Sequence, residues 1–166
     1  GTMKHHWPQL FAGTPDEAHA TAIAARVVEL TDFLLNTLDL THRPSWPQHG
    51  EATRVAVHTS CSARREMGTH QHGWALVDAL PGVERVVHDH ESECCGFGGV
   101  FSLKHADISG AIVHDKVASL SAVCERFVTA DCGCMLNISH AAEHQGRALR
   151  GEHLATFLLR RLEGEA

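Results

Sequence analysis

An alternation of two periodicities constrains this chain more than any other feature of its sequence. Short runs rich in β-branched residues occur at 54–60 (RVAVHTS), 83–90 (VERVVHDH) and 126–131 (RFVTAD), with a weaker one in GRALRG at 146–151. Stretches with apolar residues at helical spacing follow each of them, at 65–80, 102–124, 135–144 and 153–162. The longest carries Ile108, Ile112, Val113, Lys116, Val117, Leu120 and Cys124 along it. Strands that alternate with helices predict a layered α/β fold, a parallel sheet of about four strands joined by right-handed crossovers. Ahead of the first strand, Ile23, Val27, Leu30, Phe33, Leu34 and Leu38 mark a helical period behind Thr14-Pro15-Asp16. One long amphipathic helix is predicted over 16–40, packed beside the sheet through Ile23, Val27, Leu30 and Leu34. The Pro- and Gly-containing THRPSWPQHGEAT that follows reads as a connector. The expected organisation is an N-terminal helical segment with its connector over 1–50 and one compact α/β unit over 51–166.

The cysteines fall where such a fold places ligands. Cys61 comes after the first strand, Cys94 and Cys95 after the second, and Cys132 and Cys134 after the third. In an open parallel sheet those turns gather at the carboxyl ends of the strands. Cys124 instead shares a helical face with Val117, Leu120 and Ser121 and reads as a small core residue. A vicinal disulfide is poorly placed, because bridged alpha carbons lie roughly 4.4–6.8 Å apart while neighbours across a trans peptide are about 3.8 Å apart. Cys94 and Cys95 therefore point to an external ligand. Behind them, Gly96, Gly98 and Gly99 permit close backbone approach, and a helix start offers N–H groups that favour thiolates and suit iron–sulfur or phosphate sites.

Composition narrows the alternatives. With 166 residues, 43% of them hydrophobic, the chain has the bulk for one domain. A formal charge of −6 and the lack of a Lys/Arg block argue against nucleic-acid or anionic-membrane partners. No apolar run reaches the length of a membrane span, and the opening GTMKHHWPQLF lacks a signal-peptide core. The expected location is cytoplasmic, where six cysteines serve as ligands or redox groups rather than disulfides. The fifteen histidines are scattered, and most are expected at the surface. Thiolate ligation by four or five cysteines suits an iron–sulfur cluster or zinc, although structural zinc usually takes two tight pairs. Lys104, one turn into the helix after the glycines, is a candidate to offset cluster charge. His153, after the fourth run, is a candidate cap that also lies within reach of the same edge.

HTSCS at 58–62, CCGFGGVFS at 94–102 and ADCGCMLNIS at 130–139 together resemble the cysteine-rich CCG domain. That domain recurs twice in the lactate-utilisation protein A family, in glycolate oxidase iron–sulfur subunits and in one of the subunits of heterodisulfide reductase. FGGVFSLKHADISGAIVHDKV at 97–117 is most similar to the second repeat of the lactate-utilisation protein. The resemblance runs from about Met3 to the end, and implies that the chain is the C-terminal half of a longer protein whose first CCG repeat would be a partner.

The resemblance implies a metal centre held by the cysteines, an iron–sulfur cluster of the 4Fe-4S type, which in heterodisulfide reductase is non-cubane and shared among five thiolates. Cys61, Cys94 and Cys95 carry over directly. Relatives with the full pattern have Cys-x-x-Cys where this chain has Cys132-Gly133-Cys134. In lactate-utilisation proteins this place supplies one cysteine, which aligns with Cys134, so Cys132 makes the difference between four and five thiolates. The implied function is an iron–sulfur electron-transfer component of an oxidoreductase acting on L-lactate or a related 2-hydroxy acid, in a complex with other subunits and not catalytic alone. The alternatives are a non-catalytic zinc-stabilised docking domain and, ranking lower, thiol–disulfide exchange through Cys132 and Cys134.

Overall fold

A computed structural model of the chain describes residues 1–164. Four strands, β1 (Thr53–Val57), β2 (Val83–Val86), β3 (Arg126–Thr129) and β4 (Arg150–His153), form one sheet in the order β2-β1-β3-β4. All pairs are parallel, with Ala56 opposite both Val86 and Phe127, and Val128 opposite Glu152. The predicted layered α/β architecture is therefore the one observed.

The helices are α1 (Trp7–Leu10), α2 (Glu17–Arg26), α3 (Leu30–Asp32), α4 (Cys61–Arg65), α5 (His70–Asp78), α6 (Val100–Lys104), α7 (Ala106–Ser121), α8 (Cys132–His144) and α9 (Leu154–Leu162). Side chains alternate across a strand, so β1 divides its residues between two cores. Val55 and Val57, with Val128, pack against Leu76, Val77 and Leu80 of the α5 region and Leu154, Phe157 and Leu158 of α9. Ala56, with Val86 and Phe127, packs against Val117 and Leu120 of α7 and Ile138 and Ala142 of α8. The helix after β1 and the helices after β2 and β3 thus cover opposite faces. The order of connections reverses between β1 and β3, which is where α/β sheets open a crevice at their carboxyl edge.

Two sequence expectations are corrected. The 16–40 segment is not one helix. It breaks after Arg26, where Val27 turns extended, and restarts at Glu29, whose carboxylate accepts from the Thr31 and Asp32 N–H groups. A local carboxylate cap wins over continuation of the helix. The stripe is redistributed as a result: Ala20, Ala24 and Thr31 are buried, Leu34 and Leu35 reach the first core, and Ile23 and Leu30 remain exposed. The fourth strand also begins later than 146–151. Gly146, at φ 64°, ends α8 with Gly146 N–H bonded to Glu143 O and Arg147 N–H to Ala142 O. This paired C-terminal motif consumes the residues expected to start the strand.

The connector is part of the core. Trp46 is 6% exposed, packs with the first core, and donates Nε1–H to Ala79 O at 2.9 Å. Buried Arg161 donates to Glu51 O at 3.0 Å and Pro81 O at 2.9 Å, fastening the connector from the other side. Trp46→Ala is expected to cost about 3–5 kcal/mol in urea unfolding. Unchanged stability would show that the connector is a loose tether.

Candidate metal centre at the carboxyl edge of the sheet

Each cysteine-bearing turn is built by local chemistry. Ser60, just beyond β1, caps α4 by accepting from Ala63 N–H at 3.2 Å, which sets Cys61 as the first residue of that helix. Asp131 caps α8 by accepting from Cys134 N–H at 2.9 Å, so Cys132 and Cys134 lie in its first turn. The loop after Cys95 is pinned to α7 and α8: Ser109 Oγ donates to Gly96 O at 2.8 Å, and Asn137 Nδ2 donates to Cys95 O at 2.9 Å. Gly96 is required there. It has φ 86°, and a Cβ would stand 2.7 Å from Ser109 O.

These turns bring two thiols into direct contact. Cys95 Sγ and Cys134 Sγ are 3.0 Å apart in a buried hydrogen bond, and a ring nitrogen of buried His58 lies with them so that all three donor atoms fall within 4.8 Å of one another. His58, Cys95 and Cys134 could hold a metal ion. Cys94 is half-buried beside them, while Cys61 and Cys132 sit exposed on the neighbouring helix starts. Among the predicted cysteines the structure thus joins Cys95 with Cys134, and leaves Cys61, Cys94 and Cys132 outside that tight group.

The electrostatics divide the thiols. Cys95 is drawn down to about 4, first by the Cys134 S–H, with burial opposing and His58 and the Phe97 N–H adding to the fall. Cys134 is pushed well up, because it keeps the proton that it shares with Cys95. At Cys94, burial raises the thiol and outweighs the Gly96 N–H that approaches its sulfur at 3.3 Å. Loop N–H groups thus favour the thiolate at both cysteines, but the Cys134 thiol leads the fall at Cys95 and burial outweighs them at Cys94.

The candidate outer residues separate as well. Gly98 and Gly99 both take positive φ and turn the chain into α6, whose last residue, Lys104, is exposed. The buried cation on the thiol side is instead Lys116 of α7, 1% exposed and bonded through Nζ to His90 O. Burial lowers its pKa, while Glu93, Cys95 and Cys94 act to raise it. Its position in the apolar stripe of α7 was the sequence signal for a buried lysine. His153 is a cap: its Nδ1 accepts from Ala155 N–H at 3.2 Å. Cys124 stays with the second core, as predicted.

Most histidines are exposed or half-buried, but His58 and His88 are fully buried. His88 contacts Asp89 O at 2.6 Å and Ser119 Oγ at 2.9 Å through Nδ1, and burial, followed by Lys116, lowers it to about 4. Scattered spacing concealed both residues. Their position in the last residues of strand runs was the available signal.

A parallel sheet whose β-to-α turns carry cysteines to one edge defines a cysteine-rich α/β domain, and the chain belongs to the CCG cysteine-rich domain family, whose profile matches residues 55–139. It is similar to lactate utilization protein A of Geobacillus kaustophilus, 36% identical over 158 residues, which cover 94% of this chain and 64% of that protein. It is equally similar, at 36% identity, to lactate utilization protein A of Bacillus velezensis, covering 95% of this chain and 65% of the relative, and to the Escherichia coli protein YkgE, covering 93% and 64%. The chain thus spans less than two thirds of the length of these relatives. Among the described residues, no helix is long and apolar enough to cross a membrane.

The shared proton gives the site a pH signature. Between about pH 4 and the ordinary thiol range near 8.5, the folded pair holds one proton and the unfolded pair two. Stability of chelator-treated protein is expected to rise with pH across this window, and the contribution is lost as pH falls through about 4. Above the thiol range the sign reverses, because folded Cys134 retains its proton. Urea unfolding at several pH values checks this, and Cys95→Ser should remove the thiol-linked slope. The same slope in wild type and variant would contradict the assignment.

Proposed function

We propose that this edge holds an iron–sulfur cluster, and that the chain is an electron-transfer component of an oxidoreductase acting on L-lactate or a related 2-hydroxy acid. The observation that carries the reading is the meeting of thiols from two β-to-α turns in one buried pair, Cys95 and Cys134 at 3.0 Å. The donor set fits such a group: soft sulfur ligands, one of them already favoured as a thiolate. Cys95 and Cys134 would hold it, with Cys94, Cys61 and Cys132 as the further thiolates available at the rim. When bound, a 4Fe-4S-type cluster supplies one-electron chemistry.

The surrounding residues have separate tasks in this reading. Asp131 and Asn137 hold the two thiol-bearing backbones. Lys116 offsets thiolate charge from a dry position. Gly96, Gly98 and Gly99 shape the loop. The 2-hydroxy acid class comes from the names of the lactate utilization relatives. The partners proposed are other subunits of a lactate-oxidising complex and a first CCG repeat, in the cytoplasm.

A second reading, a zinc-stabilised docking domain, is favoured by one observation: a His, Cys, Cys donor group also suits zinc. Anaerobic loading separates the two. Iron with acid-labile sulfide in stoichiometric amount is expected, and Cys95→Ser should abolish it while leaving helix content intact. Stoichiometric zinc without iron uptake, or full iron and sulfide retention in Cys95→Ser, would overturn the first reading. The chain by itself is expected not to oxidise lactate with an artificial acceptor; turnover without added subunits would refute its role as a component.

A further inference from the structure

His58 is the least satisfied polar residue of the edge. It lies one residue beyond β1, is 1% exposed, and neither ring nitrogen has a hydrogen-bond partner among the described residues. The ring stands beside Cys95 and lowers its pKa, but no hydrogen bond of ordinary geometry joins them. A buried polar group left unpaired is destabilising, and both nitrogens of this imidazole are in that state. A hydrophobic residue would fill the same volume without that cost. The site therefore calls for something that engages both nitrogens.

One nitrogen has candidate company in the thiols: with Cys95 Sγ and Cys134 Sγ it lies within 4.8 Å, a spacing that a metal bonded to nitrogen at about 2.0 Å and to sulfur at about 2.3 Å closes with small side-chain movements. The residue also borders a cavity of about 30 Å³, lined in addition by Glu29, Thr31, Thr69 and His70. Thr69 Oγ1 and His70 Nδ1 are buried there, likewise without partners. A void of that size, bordered by these unpartnered atoms, has room for an ordered water, which needs roughly 10–15 Å³ and two or more polar partners.

We propose that His58 is a metal ligand, so that the centre is a mixed nitrogen–sulfur site completed by Cys95 and Cys134 rather than an all-thiolate one, with a water in the adjoining cavity holding the other ring nitrogen. The proposal rests on the reading that this edge binds metal, and is independent of which metal. It assigns His58 a function that its scattered sequence context hides. Metal-bound histidines ordinarily donate their free ring N–H to such a partner, which fixes the tautomer and the ring orientation. A neutral imidazole in place of a thiolate also removes one negative charge, and histidine ligation raises the potential of iron–sulfur centres relative to all-cysteine ones. The N-terminal segment acquires a role as well, since Glu29 and Thr31 roof the cavity behind the ligand.

The test is spectroscopic and uses the 166-residue chain. After anaerobic loading with iron and sulfide and one-electron reduction, pulsed EPR is expected to show coupling to one imidazole nitrogen, altered by ¹⁵N-histidine labelling and lost in His58→Gln. His58→Cys should retain the centre and shift its midpoint potential downward. If the chain takes zinc alone, the iron–sulfur reading fails while this inference is still decided by X-ray absorption: a nitrogen shell lost in His58→Gln supports it. A sulfur-only shell in loaded wild-type protein overturns it, as does nitrogen coupling that survives His58→Gln. A chain that binds neither metal overturns both.

Discussion

Parallel pairing of β1 with a neighbour on each side is the constraint from which the rest of the molecule follows. Because β2 and β3 run in the same direction as β1, every β-to-α turn is delivered to one edge of the sheet. Because those neighbours are reached over opposite faces, the turns after β1 and β3 diverge and leave a crevice between them. The pairing is held by burial of alternate residues: Val55 and Val57 belong to one core and Ala56 to the other. A slip of one residue would exchange those faces and move His58 and Cys61 away from the edge.

The core beneath and the polar site above are made by the same helices. α7 contributes Val117 and Leu120 to the core and Lys116 to the surroundings of the thiols; α8 contributes Ile138 and Ala142 below, and Cys134 and Asn137 above. This places several titratable groups in a poorly hydrated region where charge interactions are strong. Cys95, Cys134, His88 and Lys116 all depart from their ordinary protonation behaviour there, each mainly through burial or its nearest partner. Departures of this kind concentrate where a protein does chemistry.

The N-terminal fifty residues are tied to this unit by side chains rather than by sheet pairing. Trp46, Leu34, Leu35 and Leu40 pack on the first core, and His72 of α5 faces Asp32 at 3.5 Å. The segment expected as one long helix packed beside the sheet, with a connector, instead closes over the α5–α9 face in pieces and reaches the cavity behind His58. Its break at Val27 to Glu29 is what allows the chain to turn onto that surface.

The sequence by itself determined the layered fold, the parallel sheet of four strands and the placing of five cysteines in β-to-α turns, because two alternating periodicities and the position of a residue after a strand are local properties. The CCGFGG loop was legible for the same reason, since glycines directly after a strand run mark a turn that uses positive φ. Only the tertiary structure decided which thiols meet. Cys95 and Cys134 are 39 positions apart, and their contact depends on how α8 and the glycine loop pack. It also decided that Lys116 rather than Lys104 is buried on the thiol side, and that His58 leaves the scatter of surface histidines to lie beside Cys95 and Cys134. The broken N-terminal helix was illegible because its apolar period continues through the break, while a single carboxylate, that of Glu29, restarts the chain. Periodicity records which faces are apolar; burial and protonation depend on what the rest of the chain brings against them.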